Sequence, residues 1–313
     1  MRHPWLKAAG ITSAAGLLIC CISAAAAGDF ARIIRWPQLQ IGEAKILYLE
    51  NNMAQSDSSS AGQSPVSEAN SADQNGAASG EHQYSGLENV SRIEIEADYA
   101  DIEIRKSDHL YILTEGLPAN NESDGYRTFR FTCSGGLLRI DSKTEENMSI
   151  FSPASSKIIV NVPDKTDSLY AKTALGNISA EKLNVQSAEF EADLGNISLN
   201  QISGQSLSAE CNAGEITADQ ISFKKAVFIN DLGNISVGGR FSDLITAENN
   251  CGNVSLFLHQ KINPEKASVE LATDLGELTV NHQHIDGSYI SSGSGLPSVK
   301  VNVSLGNLDC RWQ

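Results

Sequence analysis

Leu175-Gly176-Asn177-Ile178, Leu194-Gly195-Asn196-Ile197, Ala213-Gly214-Glu215-Ile216, Leu232-Gly233-Asn234-Ile235 and Cys251-Gly252-Asn253-Val254 are one motif written five times. Their glycines, Gly176, Gly195, Gly214, Gly233 and Gly252, follow one another at a step of 19 residues. Later copies at Gly276 and Gly306 keep the motif, but their steps are 24 and then 30. A fixed period near 20 residues marks a stacked-repeat architecture, in which each unit buries its apolar face only against its neighbours.

Aligned at that step, the sequence falls into columns. Leu169, Ala188, Leu207, Ala226 and Ile245 form one, and Ala171, Phe190, Ala209, Phe228 and Ala247 the next. After the glycine come Ile178, Ile197, Ile216, Ile235 and Val254, then Ala180, Leu199, Ala218, Val237 and Leu256. Apolar residues two apart share one face of a strand, so each coil reads as short strands joined by corners. Large alternates with small down the Phe/Ala column, which fills layers without voids. The expected fold is all-β: a right-handed parallel β-solenoid with coils of about 19 residues, the Leu and Ile of each motif facing inward. A β-sandwich of regular hairpins is the alternative.

Residues 87–163 read as an N-terminal β cap and 164–313 as the solenoid repeats. Ile93, Ile95, Ala97 and Tyr99 alternate into Ala100-Asp101, a degenerate repeat with Ala where Gly would stand. Phe129, Phe131 and Cys133 run into Ser134-Gly135-Gly136 and return through Leu138 and Ile140, a hairpin signal. Residues 51–86 are rich in Ser, Ala, Gln, Asn and Gly and read as a disordered linker. Residues 29–50 form a juxtamembrane segment. Residues 8–28 carry no charge and follow Arg2, His3 and Lys7. That run fits a transmembrane anchor of about 20 residues or a signal peptide ending in Ala25-Ala26-Ala27, with the anchor preferred. Both place the bulk of the chain outside the cytoplasm, at the cell surface, or secreted if the segment is cleaved.

The net charge of −15 and pI near 4.8 exclude a nucleic-acid partner, since nothing basic can neutralise phosphates. Cys133, Cys211, Cys251 and Cys310 fall on apolar phases of strands and read as small core residues.

The outward columns are the candidate binding strip: Asn177, Asn196, Glu215, Asn234 and Asn253, and two residues on Ser179, Ser198, Thr217, Ser236 and Ser255. Stacked amides capping corners explain them as well as a partner does; the partner would be a protein or a glycan. Glu191, Glu210 and Glu248 share a column, and Asp193, Asn212, Asp231 and Asn250 the next. Asp193 and Asp231 stand two coils apart, roughly 9–10 Å at strand spacing, too far for one cation. The reading is a solvated acidic face. His282, His284 and Asp286 read as a return strand entering an Asp-Gly turn rather than as metal ligands. Lys172, Lys182, Lys224, Lys225 and Arg240 are the basic residues of the strict repeat, and none is read as sharing a column with the acids. No catalytic residue, cofactor or metal is assigned, and the chain reads as no enzyme; a carbohydrate-active enzyme built on the acidic columns is the weakest reading.

The layout resembles the bacterial putative-adhesin family of β-strand-repeat surface proteins of unknown function. The resemblance rests on Gly28-Asp29-Phe30 closing the apolar segment, the strand pair around Tyr99-Ala100-Asp101-Ile102-Glu103, and the turns from Gly176 to Gly306. The family commonly has Thr-Gly-Asp at the turn, where this chain has Leu-Gly-Asn. The resemblance implies a surface-displayed, non-enzymatic solenoid acting as adhesin, binding module or scaffold. The second function it implies is an envelope-stress or assembly component working through a membrane partner.

Overall fold

The computed structural model describes residues 81–124, 126–144, 156–164, 166–293 and 295–313. The apolar segment, the juxtamembrane stretch and nearly all of the linker lie outside them. The described residues contain 22 strands, all in one hydrogen-bonded sheet, and no helix. The linker reading runs slightly too far: His82–Tyr84 is already a strand, paired antiparallel with Tyr111–Glu115. Tyr84 earns that place by packing its ring against Phe131, centroids 4.9 Å apart.

Each coil has a long wall ending in the motif's first residue, a corner at its glycine, and a short wall starting at its Ile. In the Gly195 coil these walls are Ser187–Leu194 and Ile197–Asn200. Neighbouring coils pair in parallel with equivalent residues in register, as in Phe190↔Ala209 and Ile197↔Ile216. A third side, residues 183–185 in the first strict coil, closes the circuit through one bridge, Asn184↔Ser203. The second corner, which leads into it, is a left-handed residue: Lys182, Gln201 or Gln220, with φ between 53° and 56°.

The core alternates in both directions. The Gly195 coil puts Ala188 beside Phe190, the Gly214 coil Leu207 beside Ala209, and the Gly233 coil Ala226 beside Phe228, all buried. Each layer therefore holds similar volume while adjacent layers interdigitate. The apolar columns thus lie inside, with one exception to the reading above. The Leu of the motif does not face inward: Leu175 is 42 % exposed and Leu275 58 %. The backbone turns at the glycine, so the residue before it leaves the inward phase that the preceding strand had kept. Two cysteines also fall outside the core reading. Cys211 and Cys310 are buried, but Cys133 is exposed at its hairpin and Cys251 is half-buried in the Leu column.

Chain order and stacking order part company at both ends. Arg92–Tyr99 pairs in parallel with the Gly176 coil on one side and with Leu137–Thr144 on the other. The Ala100 coil is therefore a full member of the stack, and the 163/164 boundary does not divide cap from solenoid. At the other end, Gly295–Leu305 lies between the Gly252 coil and Ala267–Leu275, and Leu308–Trp312 between Val254–Leu258 and Leu278–Val280. The coil of Gly306 is inserted before that of Gly276, which accounts for the broken step. The corner order is Ala100, Gly176, Gly195, Gly214, Gly233, Gly252, Gly306, Gly276.

Four antiparallel segments seal the open edges of this parallel array. Arg127–Ser134 returns along Leu137–Thr144 and Tyr111–Glu115 along Lys157–Val162. Ser288–Ser292 covers Ala267–Leu275, and Gln283–Ile285 covers Leu278–Val280. Such returns keep a long stack from pairing with further copies through free strand edges.

Candidate functional site

The repeated corner is built by contacts between layers. A Cβ placed on Gly195, Gly214, Gly233 or Gly252 would sit 1.8–1.9 Å from the carbonyl oxygen of the preceding corner glycine. Their φ values of 135–153° add a conformation that side chains avoid. Gly306 and Gly276 stack in the same manner, at 1.9 and 1.8 Å. All seven motif glycines are thus structural, Gly176 closing on Ala100 at 2.2 Å.

The corner carbonyls also need donors. They find them in a third inward column: Thr173 Oγ1 donates to Ala100 O at 3.0 Å, Asn230 Nδ2 to Gly214 O at 3.0 Å, Asn249 Nδ2 to Gly233 O at 2.9 Å and Thr273 Oγ1 to Gly306 O at 2.9 Å. Cys211 Sγ lies 3.2 Å from Gly195 O in the equivalent place. The sequence reading missed this column, although a signal was present: Thr173, Asn230 and Asn249 are polar residues on an inward phase, three before the corner glycine.

Outside the corner runs the asparagine column. The backbone N–H of Asn196 donates to Asn177 Oδ1 at 2.9 Å, that of Glu215 to Asn196 Oδ1 at 2.8 Å, and that of Asn253 to Asn234 Oδ1 at 3.0 Å. Asn234 Nδ2 donates to Glu215 Oε1 at 3.0 Å. The ladder continues past the five predicted members, to Asp101 at one end and through Asn307 to Glu277 at the other. It crosses eight coils, about 34 Å at strand spacing. Its oxygens are committed to holding layers together.

The neighbouring hydroxyl column differs. Ser179, Ser198, Thr217, Ser236 and Ser255 lie side by side on the short wall. Ser198, Thr217, Ser236 and Ser255 are exposed and Ser179 is half-buried. None of the five hydroxyls has a hydrogen-bond partner among the described residues. The row is bounded by charged groups, Glu103 on one side and Asp309 on the other. Glu103 is half-buried, which opposes ionisation, yet Lys157 and Arg105 hold its carboxyl below the usual range. Phe257, 43 % exposed, stands beside this row with its ring edge-on to His259.

The acidic face lies on the long wall. Lys172 belongs to the column of Glu191, one coil earlier, and its Nζ is 2.7 Å from Glu191 Oε2. The reading that no basic residue shares the acids' column is corrected by this register. Desolvation, then Glu191 and the other neighbouring carboxylates, pushes the Glu189 and Glu210 carboxyls up. The Tyr170 hydroxyl is pushed up to about 12 by burial and Glu191. In the next column Asn212 Nδ2 donates to Asp193 Oδ1 at 2.9 Å and Asn250 Nδ2 to Asp231 Oδ1 at 2.6 Å. Alternating amide and carboxylate thus pair across layers. His282 precedes the edge strand Gln283–Ile285 and His284 lies within it, with His284 Nε2 3.5 Å from Asp286 Oδ1. Among the described residues no three His, Cys, Asp or Glu side chains converge on one point. No described helix is long and apolar enough to cross a membrane.

A parallel stack with glycine corners and amide ladders defines a β-solenoid repeat protein. The family model of Toastrack DUF4097 matches residues 90–280, from the Ala100 coil to the outermost short-wall strand, and the chain belongs to that family. Two solved structures share similarity with it. One is a putative cell adhesion protein from Clostridium sporogenes, 12% identical with a TM-score of 0.31, over 75% of this chain and 100% of that one. The other is a putative adhesin from Bacteroides fragilis, 10% identical with a TM-score of 0.40, over 74% and 96%. No curated protein matches the chain significantly.

Proposed function

We propose that the protein is a non-enzymatic binding module displayed at the cell surface, held to the membrane by its N-terminal apolar segment, and that its short wall receives an extended protein or glycan. The solenoid is taken as right-handed, the sense in which parallel strands are almost always connected. The observation that carries this reading is the contrast between adjacent columns. The asparagine oxygens are consumed by the fold, whereas five hydroxyls in register beside them satisfy nothing internal. A flat row repeating at about 4.8 Å suits a ligand that is itself extended.

The test has two parts. Protease added to intact cells should cleave the solenoid region, and a chain untouched under conditions that digest a known surface protein would end the display reading. Replacing Ser198, Thr217 and Ser236 together by alanine should abolish adhesion to the bound surface while leaving thermal unfolding unchanged. Adhesion equal to the parent's would remove the short wall as the binding face.

A further inference from the structure

The third side of the solenoid holds a feature that the repeat does not predict. Ser203 pairs with Ser222 at the usual step, but Ser222 pairs with Arg240, one residue short of it. The register recovers beyond Phe223↔Phe241, where Lys224 alone faces Ser242 and Asp243. A bulge of this kind bends the strand and re-aims its side chains. Beside it Gly204, paired with Phe223, leaves the neighbouring layer without a side chain. The result is an open cleft of about 270 Å³ lined by Ser222, Lys224, Arg240, Ser242 and Gln260, with Phe223 and Phe241 in its lining and Pro297 at its edge. Both phenylalanines are buried.

Its charge is opposite to that of the molecule. Elsewhere on the solenoid Lys172, Lys182, Lys300 and Arg311 each sit on a carboxylate. Among the described residues Lys224 and Arg240 have no carboxylate within ion-pair distance. Arg240 is oriented by donating Nε to His259 O at 3.0 Å, which leaves its two terminal nitrogens for another acceptor. Gln260 is fixed by Phe241, whose N–H it accepts at 2.8 Å and whose carbonyl it donates to at 2.7 Å. Asp243, the carboxylate next in the chain, accepts the Ser242 hydroxyl at 2.7 Å and does not line the cleft. Two cations without an ion-pair partner among the described residues, one of them held by the backbone, line a small polar cleft whose Phe223 and Phe241 rings are turned into the core.

We infer that this cleft is a binding site for a compact oxyanion-bearing group, the carboxylate of an acidic sugar unit or a phosphate. Arg240 and Lys224 receive the anion as charge-assisted donors, and Ser222 with the free Gln260 amide hydrogen meets flanking hydroxyls. The volume admits one such unit, below the roughly 300–1,000 Å³ of sites for larger ligands. The inference stands whether or not the short wall binds a partner, because the two faces share no residue.

The full-length protein in neutral detergent should be titrated calorimetrically with trigalacturonate, with its neutral counterpart maltotriose, and with inorganic phosphate. Saturable binding of trigalacturonate or phosphate, with none of maltotriose, is expected. Arg240→Gln and Lys224→Gln should each weaken it about tenfold, while Lys300→Gln, on the long wall beside Glu270 and outside the cleft, should leave it unchanged. Both cleft residues are exposed, so these variants keep the fold, and an unfolding scan verifies it. Binding of trigalacturonate alone identifies a sugar carboxylate as the ligand, and equal binding of phosphate identifies the oxyanion itself. Absence of saturable binding to both anions, or binding indifferent to both cleft substitutions, overturns the site.

Discussion

The two corners of each coil solve one geometric problem by different means. At the first, Gly195, Gly214, Gly233 and Gly252 leave no room for a Cβ, because the carbonyl of the layer below is under 2 Å from where it would stand. At the second, Lys182, Gln201 and Gln220 take left-handed conformations with full side chains. A left-handed φ costs a non-glycine residue on the order of 1 kcal/mol, which a stable array absorbs. An overlap with backbone has no such remedy. Close stacking, more than the sign of φ, decides where glycine is required.

The largest effect should come from the first corner. Gly214→Ala drives a methyl group onto Gly195 O, and we expect a loss of about 3 kcal/mol or more, read as a fall in the denaturation midpoint; Gly214→Val should exceed it. A variant as stable as the parent would show that the layers can separate there. Next is the donor that serves this corner. Asn230→Ala strips Gly214 O of its hydrogen bond, while Asn234 O keeps the one from the Ile216 N–H, and should cost about 1–3 kcal/mol. Outside the corner, Asn196→Ala removes one rung of the ladder and should cost about 1 kcal/mol, whereas Ser198→Ala two residues away should stay within about 0.5 kcal/mol. Equal losses for the pair would erase the distinction between the committed and the free column.

The acidic ridge lies on the long wall, ahead of the first corner. Because the folded-state pKa of Glu210 is raised above its ordinary value of 4.5, its contribution to stability is present below that value and is lost as pH rises through the folded pKa. Glu210→Gln should therefore stabilise the protein at pH 7 by a few tenths of a kcal/mol, given solvent screening. The advantage should vanish below pH 4.5, and a gain that persists there would point away from ionisation. The smallest effect belongs to the second corner: Gln220→Gly trades relief of the left-handed strain for chain entropy and should change stability by only a few tenths of a kcal/mol.

Much of this architecture could be read from the sequence because a 19-residue step places the same chemistry in every layer. The columns around Phe190 and Ile197, the hairpin at Gly135 and Gly136, and the turn role of the glycines all follow from periodicity. What periodicity cannot express is direction at a bend. Leu175 keeps the alternation of its strand up to the residue where the chain turns, so its outward position was hidden. The second corner was hidden too, since Lys182, Gln201 and Gln220 share no turn-forming residue type. Candidate site residues were legible as columns, but their separation into committed asparagines and free hydroxyls depends on which atoms meet between layers. The cleft near Arg240 escaped because it arises where the step slips from 19 to 18, and the eye aligned on the glycines passes over a slip that later corrects itself.

The inserted coil also bears on how the chain matures. Val254–Leu258 and the long wall ending at Cys251 are synthesised well before their proper neighbours, residues 295–312. The coil made last is thus interior to the stack: it separates the Gly252 coil from Ala267–Leu275 and Leu278–Val280, both of which precede it in the chain. Removing residues 295–313 would therefore deprive two earlier layers of their common neighbour at once, a cost that a solenoid stacked in plain chain order never meets on losing its final coil.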